Sequence, residues 1–455
     1  MTEKILPKIL VVSDFGGADS SPQGIMDVYY ENLNSVFDAL QPVVVLNEYQ
    51  RIHISGMADF SVENICQQLS LNPGDSDKIT EVLHNARFQQ VESAWRGLAL
   101  LQNKLNADGV QLAVLHSSSS DVRQIFYDSV MLPQYEGKME IPFTAALFDF
   151  DFTHIKDSLE VFEDLVKMGE AIKTPVLAST NASFFGIKNI LHLSAMKDPL
   201  ERLMSAPYHP FHRFRETETA FWGCLTVNRY LQRRPHTSDD YSEPCSASKP
   251  ESYLWGRGVW ILGANLIESY NTKGHLIGLA GLGTGGEQHG MPTRVLPVNR
   301  KESIETPLEA PISLDTQEAL PYLGLSPIAQ LPPELGGDRQ PQMLYLHMAA
   351  NLHRIPDPTQ EKIGLLTVHT NLAYSVLIGR ISNLATKLMK NADADSVEEM
   401  AKTVKQNLLA NMWHKKESEL SVVPDNTGIL IEYKPYQVIH TRRFEITVHV
   451  PFSCC

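Results

Sequence analysis

Phe88-Gln-Gln-Val-Glu-Ser-Ala-Trp-Arg-Gly-Leu98 has the pattern of an amphipathic helix. Its apolar residues recur three or four positions apart and so share one face of a helix. These residues are Phe88, Val91, Trp95 and Leu98. Glu92 and Arg96 have the i,i+4 spacing of an ion pair. The pattern predicts a helix that packs on a core, because surface helices present such apolar stripes to the protein interior.

The composition is that of a globular chain. It has 455 residues, 43% hydrophobic and 20% charged, which suggests roughly two or three domains. A formal net charge of −14 argues against a general nucleic-acid binder and gives no reason to expect an anionic membrane surface as partner. The 5 cysteines show no CxxC spacing, so neither a disulfide framework nor a zinc ribbon is predicted. Without a secretory signal or a run of about 18 apolar residues, we expect a soluble cytoplasmic protein.

The first 75 residues have the pattern of a small α/β unit. Ile9-Leu-Val-Val12 ends at a glycine turn, which is typical of a buried strand. A helix is expected around 29–40, and further strands at 43–46 and 51–54. Ser61 is positioned as the N-cap of the next helix. The turn formers Leu71-Asn-Pro-Gly-Asp75 then mark the best candidate for a domain boundary.

The order of these and later motifs resembles the contractile sheath of type VI secretion systems. Residues 5–72 resemble the start of the small sheath subunit, through the strand Ile9–Phe15 and the helix start Asp59–Val62. Residues from about 79 to 455 resemble the large sheath subunit. The blocks that carry this second resemblance are Phe88–Leu98, Ala145–Asp151, Thr174–Thr180, Phe211–Glu218, Asn228–Pro235, Tyr253–Gly256 and Gly281–Thr293.

The resemblance implies an α/β (α+β) fold of mixed sheets with packed helices and extended terminal strands. It divides the chain into a small-subunit-like segment, 1–75, and a large-subunit-like body, 76–455. The implied function is structural and non-enzymatic: the subunit polymerises into a helical tube that drives an inner tube by contraction. The implied partners are other sheath subunits, an inner-tube protein, a baseplate and, as a candidate, a recycling unfoldase, with no cofactor, no nucleic acid and no membrane insertion. A non-contractile cap or baseplate-type paralogue is the alternative within this class.

The glycine cluster Gly281-Leu-Gly-Thr-Gly-Gly286 would favour an enzyme, because backbone amides in such a loop can cradle phosphate. No lysine follows at P-loop spacing, and five glycines between Gly281 and Gly290 more often form a tight turn. An enzyme with a phosphate-binding glycine loop therefore remains only as a second alternative.

Two further groups contain catalytic residue types. Ser117–Ser120 lies between His116 and Asp121, but the strained GxSxG elbow of a nucleophile is absent. His347 and His353, with Glu361 beyond, match no zinc-binding helix. We therefore predict no catalytic, cofactor or metal residue.

Arginines interleaved with aromatic residues suggest contacts between subunits. The arginines are Arg213, Arg215, Arg229, Arg233 and Arg234. Such a pattern can bind single-stranded nucleic acid, but the acidic chain and the nearby carboxylates favour internal or intersubunit ion pairs. We expect these arginines to matter for polymer formation more than for folding. The other structural or interface candidates are Trp95, Arg96, Trp255, Gly283, Phe444, Ile446 and Val448.

The C-terminal segment alternates apolar and polar residues from Phe444 to Val450, which predicts a strand with one apolar face. We expect it to complete a sheet of its own chain rather than a neighbour's. The stretch 297–341 carries many of the 27 prolines and is predicted to be irregular and to lie on the surface. Long helices are expected at 363–390 and 396–413, the second capped by Ser396.

Overall fold

The computed structural model describes residues 4–16, 43–46, 60–72, 74–193, 196, 199–297, 302–331, 335, 340–356, 365–391, 396–412, 419–435, 439 and 443–452. The strands in these residues are β1 (Lys8–Ser13), β2 (Val43–Val45), β3 (Gln111–His116), β4 (Ala145–Asp151), β5 (Val176–Thr180), β6 (Gly223–Val227), β7 (Arg229–Leu231), β8 (Trp255–Arg257), β9 (Glu287–Gln288), β10 (Arg294–Pro297), β11 (Ser303–Thr306), β12 (Leu325–Ala329), β13 (Leu344–Leu346), β14 (Glu419–Pro424), β15 (Gly428–Lys434) and β16 (Ile446–Pro451). The expected helix at 29–40 and strand at 51–54 lie outside the described residues.

The α-helices are α1 (Val62–Leu69), α2 (Ser76–Leu83), α3 (Ala86–Gln102), α4 (Val122–Phe126), α5 (Leu132–Tyr135), α6 (Lys156–Ala171), α7 (Pro199–Leu203), α8 (His209–Arg215), α9 (Gly258–Lys273), α10 (Leu314–Ala319), α11 (Leu372–Lys390) and α12 (Val397–Asn411). A π-helical turn, Tyr127–Met131, joins α4 to α5. Short 3₁₀ helices lie at Ala182–Phe185, Ile190–Leu193, Ala206–Tyr208, Glu218–Trp222, Pro250–Ser252, Leu320–Leu323 and Val368–Thr370.

A nine-stranded sheet forms the centre of the fold, in the order β2-β3-β1-β4-β5-β6-β12-β13-β9. The run from β3 to β12 is parallel, and the strands at both ends pair antiparallel. Because a parallel sheet is covered on both faces, its strands are continuously apolar. β1 illustrates this, since Ile9 to Val12 are all fully buried. The α/β prediction is confirmed.

Two hydrophobic cores lie on opposite faces of this sheet. Ile9 and Val11 pack in the core that contains α3 and α9, whereas Leu10 and Val12 pack in the core that contains α6. The alternation follows from the two-residue period of a strand. Among the described helices, none has both the length and the low polarity that a bilayer crossing requires.

The first strand is an internal strand of this sheet. β1 pairs in parallel with β3 on one side and with β4 on the other. The strand before residue 75 is therefore part of the same sheet as strands that follow residue 75. The division of the chain at residue 75 rests on the resemblance alone and stays a prediction.

The stretch 297–341 differs from its prediction. It contains β11, α10 and β12, and every residue of β12 is buried between β6 and β13. The expectation of an irregular surface stretch is wrong there. Prolines usually indicate positions outside central strands, but Pro327 lies within the buried strand β12. The proline count therefore misled the prediction.

The predicted helix starts are partly correct. Ser61 and Ser396 each accept a hydrogen bond from the backbone N–H three residues later, as N-caps do. The helix expected at 363–390 instead begins at Leu372, where Asn371 caps it through Ala373 N. A 3₁₀ turn, Val368–Thr370, precedes it.

Trp95 confirms the apolar stripe of α3. The four residues of the stripe are buried, and Trp95 is fully so. Its Nε1 donates to the carbonyl of Phe15 at 3.1 Å, and its ring meets the Phe15 ring edge-on at 5.3 Å between centroids. The predicted ion pair is present too, with Arg96 Nε 2.7 Å from Glu92 Oε1. α3 thus holds the end of β1 in place.

Replacing Trp95 by alanine should lower the free energy of unfolding by about 3–5 kcal/mol, because it removes a fully buried indole and leaves a cavity. Urea unfolding followed by circular dichroism measures the change. Tyr135→Ala is the control, since that side chain is 65% exposed. Equal unfolding midpoints for Trp95→Ala and the parent would contradict the structural role.

Cleaving the chain between Asn72 and Asp75 should not release the N-terminal segment, because β1 is hydrogen-bonded on both sides. A site-specific protease sequence inserted there allows a single cut in native buffer. Size-exclusion chromatography should then show both pieces eluting together. Elution of a free N-terminal fragment would refute the docking.

Candidate functional site

The carboxyl ends of β1 and β4 meet where the strand order reverses, which is where open α/β sheets bind ligands. In this chain the place is filled by its own side chains. Asp149 accepts hydrogen bonds from the Ser13 hydroxyl at 2.8 Å, Trp260 Nε1 at 2.9 Å and Arg257 Nη1 at 3.1 Å. Arg257 Nε lies 3.2 Å from Asp151 Oδ2. The geometry is that of a buried ionic cluster that closes this edge of the sheet.

The two carboxylates titrate differently because their surroundings differ. Burial raises the pKa of Asp149, and the Arg257 guanidinium and the Ser13 hydroxyl offset this only in part. Burial also disfavours ionisation of Asp151, but Arg257 and Arg229 outweigh it and hold its pKa below the ordinary value. The pKa of Arg257 is raised, because its two carboxylate neighbours outweigh its burial. The cluster is therefore held together by Arg257.

A second buried network joins α3 to the segment after β7. Arg233 lies between Glu92, 2.8 Å from its Nε, and Glu243, 2.6 Å from its Nη1. All three side chains are at most 7% exposed. Burial alone would lower the pKa of Arg233, but the two carboxylates reverse this and raise it. His236 N donates to Glu243 at 2.8 Å, which completes the network.

The structure separates the predicted arginines into two kinds. Arg215 is buried and donates to the carbonyls of Leu352 and Tyr322, and Arg233 is buried between its two carboxylates. Both bind groups of their own chain and so contribute to the fold, while the expectation that they matter more for polymer formation stays a prediction. Arg229 pairs with Glu309 and is about one-third exposed. Arg213 and Arg234 are exposed and stay interface candidates.

Trp255 and Gly283 lie in different parts of the subunit. Trp255 is buried, donates from Nε1 to the Pro250 carbonyl at 2.7 Å and lies under the Arg294 guanidinium, 4.8 Å from the ring centroid. Gly283 has φ +71°, and the space that a Cβ would occupy there is empty. Trp255 is therefore a packing residue. Position 283 favours glycine because its φ is positive.

The glycine cluster forms a tight turn. Three of its glycines, Gly281, Gly283 and Gly285, have positive φ, as does Gly290 just after it. The amide of Gly283 donates to the Glu287 carboxylate, and the Lys273 ammonium donates to the Thr284 carbonyl. The Glu287 carboxylate thus already accepts a hydrogen bond from an amide that a bound phosphate would need. This favours a structural turn over a phosphate-binding loop.

The other residues with catalytic side chains are dispersed. Ser118 Oγ donates to Asp121 at 2.7 Å, and His116 Nδ1 accepts from Phe15 N at 3.2 Å, so the serine and the histidine face different partners. His347 packs near Tyr345. Glu361 lies outside the described residues.

The terminal strands form a separate three-stranded antiparallel sheet, β14-β15-β16. Ile446 and Val448 are buried in register with Tyr433 and Ile431, which confirms that the last strand completes a sheet of its own chain. Phe444 is buried just before it. Among the described residues, no strand pairs with the outer edge of β14 or of β16.

The two edges of this sheet are not equally covered. On β16 the inward residues Ile446, Val448 and Val450 are at most 8% exposed. On β14 the inward residues Leu420 and Val422 are only partly buried. β14 is therefore an edge strand with an incompletely covered apolar face.

One group of side chains escaped the sequence-based prediction. His84, Glu243 and Cys245 bring a ring nitrogen, a carboxylate oxygen and a sulfur within 4.8 Å of one another. Burial raises the pKa of the Cys245 thiol to about 12, and Glu243 adds to this. His84 is distant in the chain from Glu243 and Cys245, so no spacing motif could have indicated the group.

Removing the charge of Arg233 should destabilise the subunit, because it leaves Glu92 and Glu243 buried with too few partners. We expect Arg233→Met to lower the free energy of unfolding by about 3–5 kcal/mol. Arg234→Met, at the exposed neighbour, should change it by no more than about 0.5 kcal/mol. Urea unfolding of the two variants makes the comparison, and similar midpoints would show that the buried network does not contribute as described.

Comparison with known proteins gives two matches. Residues 71–333, more than half of the chain, match the family model VipB (EvpB/VC_A0108, tail sheath N-terminal domain). The chain is also 23% identical over 297 residues to the type VI secretion system sheath protein TssC1 of Pseudomonas aeruginosa (strain PAO1). That alignment covers 60% of this chain and 59% of the relative, so the match spans about three-fifths of the length of TssC1.

Proposed function

This chain belongs to the VipB family of tail-sheath N-terminal domains, and on that premise we propose that it is a structural subunit of a type VI secretion sheath. In this proposal it assembles with further sheath subunits into a helical tube around an inner tube, anchored on a baseplate, and works by contraction in the cytoplasm. Heterologous contacts that do not close generate such helical assemblies.

Among the described residues no strand pairs with the outer edge of β14, and this is the observation that supports assembly most directly. An edge strand offers unpaired backbone groups to a strand from another chain. Here the edge also leaves Leu420 and Val422 partly exposed, so an added strand would bury apolar surface as well as pair backbone groups. Val423, on the outward face of the same strand, is 51% exposed.

The charge distribution supports a contact between copies of the chain. Arg213 and Arg234 are exposed on a chain with a net charge of −14, so any neighbouring copy offers them carboxylates. Each exposed pair contributes only about 0–1 kcal/mol, but a helical lattice repeats it at every subunit.

The full-length chain, expressed alone and with the products of its neighbouring genes, should form filaments in negative-stain micrographs and pellet on ultracentrifugation. Closed rings or particles bound at filament ends would instead favour the cap or baseplate alternative. A monodisperse particle under both conditions would refute the sheath proposal.

Val423→Lys should abolish polymers without unfolding the subunit, because a lysine on an edge strand blocks the addition of a strand. Its aliphatic stem can lie on the surface, so the melting midpoint should stay within the range of surface substitutions. Val295→Lys is the matched control: Val295 is 61% exposed on β10, away from the terminal sheet. If the folded Val423→Lys protein pellets like the parent, β14 is not the assembly edge.

A further inference from the structure

Three side chains with metal-binding atoms converge between the end of α2 and the segment after β7. His84 follows α2 directly, and Glu243 and Cys245 come from the loop that follows Arg233. Their donor atoms lie within 4.8 Å of one another, and no other group of three or more was found in the part of the chain that the structure describes. In a tetrahedral zinc site with bonds of about 2.0–2.3 Å, ligand atoms stand roughly 3.5 Å apart. Side-chain movements of about 1 Å would therefore be enough to place one ion between them.

The histidine is available to a metal. Its Nε2 is buried, makes no hydrogen bond and lies 3.4 Å from Glu243 Oε1. A buried ring nitrogen that makes no hydrogen bond is costly, so its polar environment is incomplete. The His84 side chain as a whole is 22% exposed, so it is not fully enclosed by the protein.

The carboxylate is already held in position. Arg233 donates to both oxygens of Glu243, and His236 N donates to Oε2. Hydrogen bonds of this kind orient metal-binding carboxylates from the outer shell. The positive charge of Arg233 opposes the binding of a cation. Glu92 and Glu243 together neutralise Arg233 and Arg96, and the Cys245 thiolate would add a further negative charge.

We propose that His84, Glu243 and Cys245 form a zinc site with one coordination position open to solvent. Imidazole, carboxylate and thiolate are all ordinary zinc ligands. Without metal, the Cys245 thiol donates its proton to the Ser252 carbonyl at 2.9 Å. When zinc binds, the thiol loses this proton to solvent and the thiolate sulfur binds the metal. His84 binds through Nε2 as a neutral ring.

The ion would tie α2 to the loop around Glu243 and so reinforce the buried Glu92–Arg233–Glu243 network. A link between segments distant in the chain stabilises the folded state when the metal binds that state alone. The proposal does not depend on the sheath function, since it concerns the isolated subunit.

Metal binding to the full-length chain tests it. Cys454 and Cys455 are changed to serine in every protein used, so that their two adjacent thiols do not offer zinc a competing site. The metal-stripped protein is dialysed against zinc, and bound metal is measured by mass spectrometry. We expect one equivalent and a melting midpoint that rises with zinc concentration. Cobalt in place of zinc should give a thiolate-to-metal charge-transfer band.

Cys245→Ser should lose the cobalt band and weaken zinc binding by more than about tenfold, and His84→Ala should weaken it similarly. Cys66→Ser and His289→Ala are the matched controls, since neither residue belongs to the group. Circular dichroism verifies the fold of each variant. If His84→Ala fails to fold, Cys245→Ser, which changes only one atom, tests the site by itself. Less than one equivalent on the parent, or binding and a cobalt band that persist in Cys245→Ser, would overturn the site.

Discussion

Arg257 neutralises two buried carboxylates at the centre of the molecule, and the arrangement of the main sheet depends on it. Asp149 and Asp151 lie two residues apart on β4, and without Arg257 their charges would repel each other in this buried site. Arg257 precedes α9 directly, so its contacts with Asp149 and Asp151 tie the start of that helix to β4. Removing one partner from such a cluster leaves an uncompensated buried charge, which costs far more than the loss of a surface pair. Open α/β sheets often bind ligands in a crevice at this position. In this chain the position is filled by the Asp149, Asp151 and Arg257 side chains, whose charges largely cancel.

Local patterns in the sequence predicted local structure well. The stripe of α3, the caps Ser61 and Ser396, and the alternation from Phe444 to Val450 each depend on residues within one or two turns of one another, and each is present. The turn interpretation of the glycine cluster also agrees with the positive φ angles. In these cases the spacing alone contains the physical information, because a helix or strand has a fixed period.

Long-range relations could not be predicted in the same way. β12 pairs with β6 about a hundred residues away, and proline content says nothing about such a partner. The arginines illustrate the same limit for charge: Arg233 and Arg234 are neighbours in the sequence, yet one is buried between two carboxylates and the other is exposed. Which one is buried depends on Glu92, which lies on α3 and is distant in the chain. The His84, Glu243 and Cys245 group is hidden from spacing arguments for this reason too.

The separation of buried from exposed charge bears on how such a subunit can join others. Exposed pairs made by Arg213 or Arg234 contribute about 0–1 kcal/mol each, whereas burying one aliphatic side chain contributes about 1.5–3 kcal/mol. Leu420 and Val422 on β14 are already partly buried, so an added strand would gain only the part of this free energy that belongs to their remaining exposed surface. Charge contributes orientation instead, because like charges brought together oppose a wrong register. In the proposed assembly, the apolar edge of β14 supplies binding strength and the exposed arginines supply orientation, so that contacts through the arginines could rearrange while the strand contact holds the subunits together.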